Sequence, residues 1–206
     1  MIDLQRLIAC GVAPNIARAF VEPLRAACER FNISSLEQQA GFIAQAMHES
    51  SHLAKLEESL WYSTPQNILR SFTRLQSLPI TNLRALVKNP KGLALAAYSG
   101  VNGNGGPATM DGWTYRGAGP FQLTGRGNFQ EFQDATRVQA VDKPELLRVP
   151  GTEAALSAGW YWASHRCNDM MAHGDIDGTT RAINGARMLG AMERRELYSH
   201  CKDALV

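Results

Sequence analysis

The stretch His48-Glu49-Ser50-Ser51-His52 is the first place in this chain where residue types and spacing could do chemistry. Read as HExxH, it sets two imidazoles one helical turn apart to grip zinc, with the glutamate as base. A catalytic zinc needs a third protein ligand, and the extended pattern would require glycine and histidine where Lys55 and Glu58 stand. After Glu58 the next glutamate is Glu131, far from the same helix. The second reading pairs Glu49 with Glu58: glycosidic hydrolysis needs one carboxyl to protonate the leaving oxygen and one carboxylate to activate water or attack carbon. On one unbroken helix, residues nine apart would point about 180° from each other and lie roughly 13 Å apart along the axis. A shared site therefore requires the chain to turn soon after Ser51 and bring Glu58 back across from Glu49, on a loop near Tyr62. Taken alone, two such glutamates more often belong to a solvated surface.

The elements that must position the pair begin with a helix predicted over residues 34–51, opened by a capping box of Ser34 and Glu37. Leu36, Ala40, Ile43 and Met47 form its buried stripe, while Gln38, Phe42, Gln45 and Glu49 share another face. Glu49 then lies at the negative end of the helix dipole and beneath Phe42, surroundings that suit a proton donor. Glu58, on a more open segment beside basic side chains, suits a base. Residues 99–128 hold nine of the eighteen glycines and read as loops with a small hairpin over Trp113 to Thr124. Helices return at Asn128 to Arg137, Thr152 to Arg166 with Thr152 as cap, Thr179 to Asn184, and Ala191 to Leu205. The class is mainly α with a minor β element.

With 206 residues, 45% hydrophobic and 19% charged, the chain is expected to fold as one domain, residues 1–206. The N-terminal apolar run, Leu7 to Cys10 and on to Ala13, is too short for a membrane span or a secretion leader, so stable membrane insertion is not expected. Cys10, Cys28, Cys167 and Cys201 have no metal-type spacing and read as reduced, partly buried thiols. A net charge of +2 gives no argument for nucleic acid. Residues 59–130, however, carry seven basic residues (Arg70, Arg74, Arg84, Lys88, Lys91, Arg116 and Arg126) against one acid, Asp111. That excess fits attraction to an anionic polymer and equally a solvated face.

Three stretches between Ala40 and Tyr198 change the weighing. AGFIAQAMHESSHLAKLEESLWYS, GWTYRGAGPFQLTGRGNF and INGARMLGAMERRELY together resemble glycoside hydrolase family 19, the chitinase-like enzymes, and especially its phage endolysin branch. The resemblance implies a lysozyme-like, helical two-lobed domain with a small β-hairpin element and a cleft between the lobes, residues 60–115 forming the smaller, inserted lobe. It places the general acid on Glu49, the base on Glu58, and on Thr124 a hydroxyl that helps hold the attacking water. Ser51, Tyr62, Tyr115, Gln122, Asn184 and Arg194 fall on substrate-contacting positions. Inversion at the anomeric carbon follows, which needs carboxyls roughly 6.5–9.5 Å apart. Neither metal nor cofactor is implied. The departures, Ala118 for a second arginine, Ala186 for a glycine and Phe129 for a tyrosine, bear on local contacts and substrate preference. Gln122, Thr124 and Asn184 have an alternative role in satisfying backbone groups, and Arg194 in pairing with Glu49. The expected substrate is the peptidoglycan glycan strand, cut at β-1,4 bonds by a monomer held in the host bacterial cytoplasm until released to the wall. Chitin is the alternative polymer, and a zinc peptidase the residual one.

Overall fold

In the computed structural model, which describes residues 2–206, helices form nearly all the regular structure. The N-terminal pair is α1 (Leu4–Ala9) and α2 (Pro14–Arg30). In α2, Ala17, Phe20, Leu24, Ala27 and Cys28 are buried, the spacing of one helical face, and Pro14 sits where its missing N–H leaves no helical bond unmade.

The central helix is α3 (Leu36–Glu49), and its cap lies one residue later than expected. Both Ser34/Glu37 and Ser35/Gln38 satisfy the capping-box pattern, and the second pair forms it. The Ser35 hydroxyl accepts from the Gln38 amide at 3.1 Å, and the Gln38 carbonyl accepts from the Ser34 and Ser35 amides at 2.9 and 3.1 Å. Glu37 turns instead toward Lys202, 3.4 Å away. The single apolar stripe was also too narrow a reading: every residue from Ala40 to Met47 is buried, Phe42 and Gln45 included. Elements from later in the chain enclose this helix all round, so it shows less amphipathic contrast than a surface helix does.

A second apolar cluster gathers Leu60, Ile68, Leu75, Leu83, Leu93, Ala94 and Ala97, with Trp113 against its edge. It is built by three short helices, α4 (Pro65–Ser71), α5 (Ile80–Leu86) and α6 (Pro90–Tyr98). Trp113 belongs to the single turn α7 (Asp111–Thr114) rather than to a hairpin. Among the described residues the β structure consists of two isolated antiparallel bridges, Glu57 with Ala118 and Ala118 with Leu123. The glycines that break the helical pattern there also leave too few consecutive paired residues for a strand.

The C-terminal half comprises α8 (Arg126–Thr136), α9 (Thr152–Ser164), α10 (Cys167–Met171), α11 (Ile176–Asn184) and α12 (Ala191–Leu205). Thr152 is the first helical residue of α9 and not its cap, which is Gly151. Helix α11 starts three residues before the expected Thr179, because Asp175 caps it by accepting from the Gly178 amide at 2.8 Å. Helix α12 packs along α3, and α9 along α2. All four cysteines are free and fully enclosed, and burial alone pushes the Cys28 and Cys167 thiols up to about 12. No helix of the described residues is long and apolar enough to cross a membrane.

Close approach of α2 and α9 depends on Gly159. A Cβ there would meet the Phe31 ring at 2.5 Å and the Ala27 methyl at 3.3 Å. Gly159→Ala is expected to lower unfolding free energy by about 1–3 kcal/mol, the usual range for overpacking, in urea denaturation. An unchanged midpoint would show that the Phe31 ring moves aside freely.

Candidate active site

Glu49 is the last residue of α3, and the chain turns sharply after it. Ser50 closes the helix: its hydroxyl donates to the Ala46 carbonyl at 2.5 Å and accepts from the Leu53 amide at 3.0 Å. Ser51, His52 and Leu53 then all adopt left-handed φ, at 50°, 59° and 65°. Such a conformation costs roughly 1–2 kcal/mol for each residue bearing a Cβ. The turn is held by burial of Leu53 and by bonds from the His52 amide to Met47 and the Lys55 amide to Ser50. The helix thus ends between His48 and His52, so the one-turn spacing that a zinc-gripping pair needs does not exist. Among the described residues no three His, Cys, Asp or Glu side chains converge on a metal-sized site.

Beyond the turn the chain runs back against the glycine-rich loop. The Gly119 amide donates to Leu56 at 2.8 Å, and the Glu58 amide to Gly117 at 3.0 Å. These bonds fix the backbone beneath the Glu58 carboxylate, whose two oxygens each accept one hydrogen bond. The Tyr98 hydroxyl donates to Oε1 at 2.5 Å and the Gly117 amide to Oε2 at 3.1 Å. Gly117 must be glycine for this approach, since a Cβ would lie 2.7 Å from Gln122 Oε1 and 3.0 Å from Glu58 Cβ. Burial, then the charge and hydrogen bond of Glu58, raise the Tyr98 phenol above its ordinary range.

Glu49 is held differently. Arg194, 1% exposed, directs one Nη to Glu49 Oε1 and the other to Gln45 Oε1, while its Nε donates to the Leu189 carbonyl at 3.2 Å. Gln45 passes the network on, its amide donating to the Thr179 and Thr180 hydroxyls at 3.0 and 2.9 Å. Phe42, expected to cover Glu49, points inward against Phe121 and Trp162. What lies against the carboxylate is the Arg194 guanidinium. No protein donor reaches Glu49 Oε2 among the described residues, and the side chain remains 22% exposed.

One loop runs from Glu58 to the ring of Tyr161. At Gly117 it touches Glu58; at Phe121 it stacks on Tyr161, with ring centroids 5.3 Å apart. The Tyr161 phenol is raised first by burial and then by the negative charge of Glu49. Thr124 and Gln122 lie on the same loop, both half-buried, and both are also engaged with backbone. The Thr124 hydroxyl donates to the Gln122 carbonyl at 2.8 Å, and the Gln122 amide donates to the Gly119 carbonyl at 2.8 Å. Asn184 accepts from the Leu189 amide at 2.8 Å and so shapes the 185–190 loop that receives Arg194.

Two expected substrate contacts lie elsewhere, and a third lines a groove next to that of Glu58. Ser51 shares a pocket with His48, His52, Glu193 and His200, because the left-handed turn points it away from the loop of Glu58. Tyr115 is buried, packed on Phe129 and donating to the Val141 carbonyl at 3.0 Å, and has no surface to offer a ligand. Tyr62 is half-buried against Phe72, on the far side of Trp61 from Glu58. Conversely, Gln45, Tyr98 and Tyr161 were not singled out beforehand. Gln45 had a readable signal, the one amide in the apolar run of residues 40–47, a turn before Glu49. Tyr98 had none, since its contact bridges forty residues.

No family model matches the chain. A glycosyl hydrolase family 19 domain-containing protein of Haemophilus influenzae is 29% identical over 187 residues, 91% of this chain and 90% of its own length. The acidic endochitinase Q of Nicotiana tabacum is 33% identical over 64 residues, 31% of this chain and 25% of its own. Chitinase C from Streptomyces griseus superposes with a TM-score of 0.64 at 18% identity, over 99% of this chain and 76% of that one. A bacterial family 19 chitinase superposes with a TM-score of 0.58 at 21% identity, over 89% and 85%. The fold and the bacterial relative define a glycoside hydrolase. Within that class the chain is similar, over 91% of its length, to a family 19 domain-containing protein.

Arg194→Met is expected to destabilise the fold by about 3 kcal/mol or more, because it leaves Gln45 and Glu49 without their buried partner; a thermal shift within error of the parent would contradict that. Tyr98 gives a pH-dependent expectation. Its folded-state phenol titrates above the ordinary value of 10.0, so the unfolded chain loses this proton first and stability falls as pH rises past 10. Tyr98→Phe should flatten that alkaline limb in denaturation series.

Proposed function

We propose that this glycoside hydrolase cleaves the β-1,4 bonds of peptidoglycan glycan strands as an endolysin-type enzyme, inverting the anomeric centre. Glu49 acts as general acid, Glu58 as general base, and Thr124 helps hold the attacking water. The observation that carries this reading is the contrast between the two carboxylates around one loop. Both Glu58 oxygens receive neutral donors and remain acceptors, as a water-activating base requires, whereas Glu49 keeps Oε2 free for transfer to a leaving oxygen. Arg194 steadies the carboxylate that forms once the proton has left. Peptidoglycan is favoured as substrate by the basic excess of residues 59–130, where Arg70, Arg74, Arg84, Lys88, Lys91 and Arg126 are exposed. Chitin is the second reading, favoured by the chitinases among the relatives and structural neighbours.

Glu49→Gln and Glu58→Gln should each lower turnover by about 100-fold or more while the fold is retained, judged by circular dichroism. Near-normal turnover in either variant removes that residue from its role. Proton NMR of the first product should show the inverted α-anomer, and retention would exclude the water-activating base. Reducing-end release should be faster on outer-membrane-stripped walls than on chitin oligomers and insensitive to chelator. The reverse preference selects chitin.

A further inference from the structure

Trp61 follows Glu58 by three residues and is 61% exposed, among the largest apolar surfaces left to water. It stands as a ridge between two shallow grooves. One, of about 340 Å³, is lined by Glu58, Leu60, Trp61, Pro90 and Trp113. The other, of about 330 Å³, is lined by Trp61, Tyr62, Ser63, Asn67 and Arg70. Each volume lies at the lower end of the range of about 300–1,000 Å³ that holds small ligands. The two tryptophans of the first groove differ in availability. Trp113 is covered by the Arg116 guanidinium, 3.8 Å above its ring, and Arg116 is in turn paired with Glu57. Trp61 has no ring or cation partner among the described residues, so its indole face is open to stack on the C–H face of a pyranose.

The second groove adds a charge. Arg70 is exposed, and no carboxylate pairs with it among the described residues. The sequence has no aspartate or glutamate from Ser59 to Met110, so nothing local neutralises it. A guanidinium fork matches a carboxylate better than a hydroxyl or a neutral amide. Ser63 and Asn67 beside it offer the uncharged hydrogen bonds that a sugar and its amide would use. A glycan whose scissile bond lies at Glu58 would extend over the Trp61 ridge toward Arg70.

We propose that Trp61 and Arg70 form a saccharide subsite beyond Glu58, in which the indole stacks on a sugar ring and the guanidinium binds a carboxylate of the substituent which that sugar carries. The subsite selects acid-substituted glycan, such as wall strands bearing peptide stems, over neutral polymer. It rests on the reading of Glu58 as the catalytic base.

The test compares kcat/KM on wall glycan bearing its peptide stems with kcat/KM on stripped glycan, the same strands after an amidase has removed the stems and the sugar carboxylates thereby exposed have been capped as neutral methylamides. Trp61→Ala should lower both values about tenfold, with Trp61→Phe recovering most of the loss. Arg70→Gln should lower the ratio of stem-bearing to stripped activity about fivefold, the scale of one exposed charge contact. An unmoved ratio in Arg70→Gln, or unchanged rates in Trp61→Ala, overturns the subsite. Co-sedimentation of the Glu58→Gln protein with stem-bearing and stripped sacculi separates this result from the catalytic assignment. If Glu58→Gln retains turnover the base is misassigned, yet adding Arg70→Gln must still weaken retention on stem-bearing sacculi more than on stripped ones. Equal weakening on both, or none, overturns the subsite whatever the base is.

Discussion

A guanidinium removed from water is the constraint around which this molecule is organised. Arg194 has to be answered by acceptors on every side, and they come from three separate parts of the chain: Gln45 and Glu49 on α3, the Leu189 carbonyl before α12, and, through Gln45, Thr179 and Thr180 on α11. Burying an unpaired charge is prohibitive, so α3, α11 and α12 are held in one mutual arrangement. The end of α3 is thereby fixed, and with it the Glu49 carboxylate proposed as the acid. Structural and chemical demands meet in a single side chain.

The two glutamates are presented by contrasting means. Glu49 rides on a rigid helix and is steadied by charge. Glu58 rides on an irregular segment steadied by backbone bonds to a glycine-rich loop and by a phenol from the second apolar cluster. The glycines of that loop are needed for approach distance as well as for flexibility, since at Gly117 even a methyl group would collide with Gln122 and Glu58. The loop that lies this close to Glu58 also stacks, at Phe121, on Tyr161.

Much of this was legible in the sequence where the information is local or carried by motifs. The helix ending near Glu49, the α12 boundaries and the two possible roles of Arg194 could all be stated in advance, and the pairing of Arg194 with Glu49 turned out to be physical. Other features depend on tertiary context. The capping register was ambiguous because two adjacent Ser-x-x-acid/amide pairs compete for one helix start. The direction of Ser51 was invisible because nothing in Ser-His-Leu announces three left-handed residues. Tyr115 read as a contact residue because its motif neighbours a site, whereas its hydroxyl is used by Val141. The hairpin was overestimated because aromatic and threonine residues favour strands, and the intervening glycines limit pairing to single bridges.

The left-handed run after Glu49 also bears on how such a site can be moved or remodelled. Its shape is imposed from outside, by Leu53 sunk in the core and by amide bonds to residues behind it. Cut out as a peptide, or grafted onto a foreign scaffold, residues 40–63 would relax into ordinary helix or coil, and the placement of Glu49 and Glu58 would be lost. The presentation of these two carboxylates is therefore a property of the whole domain and not of a transferable motif.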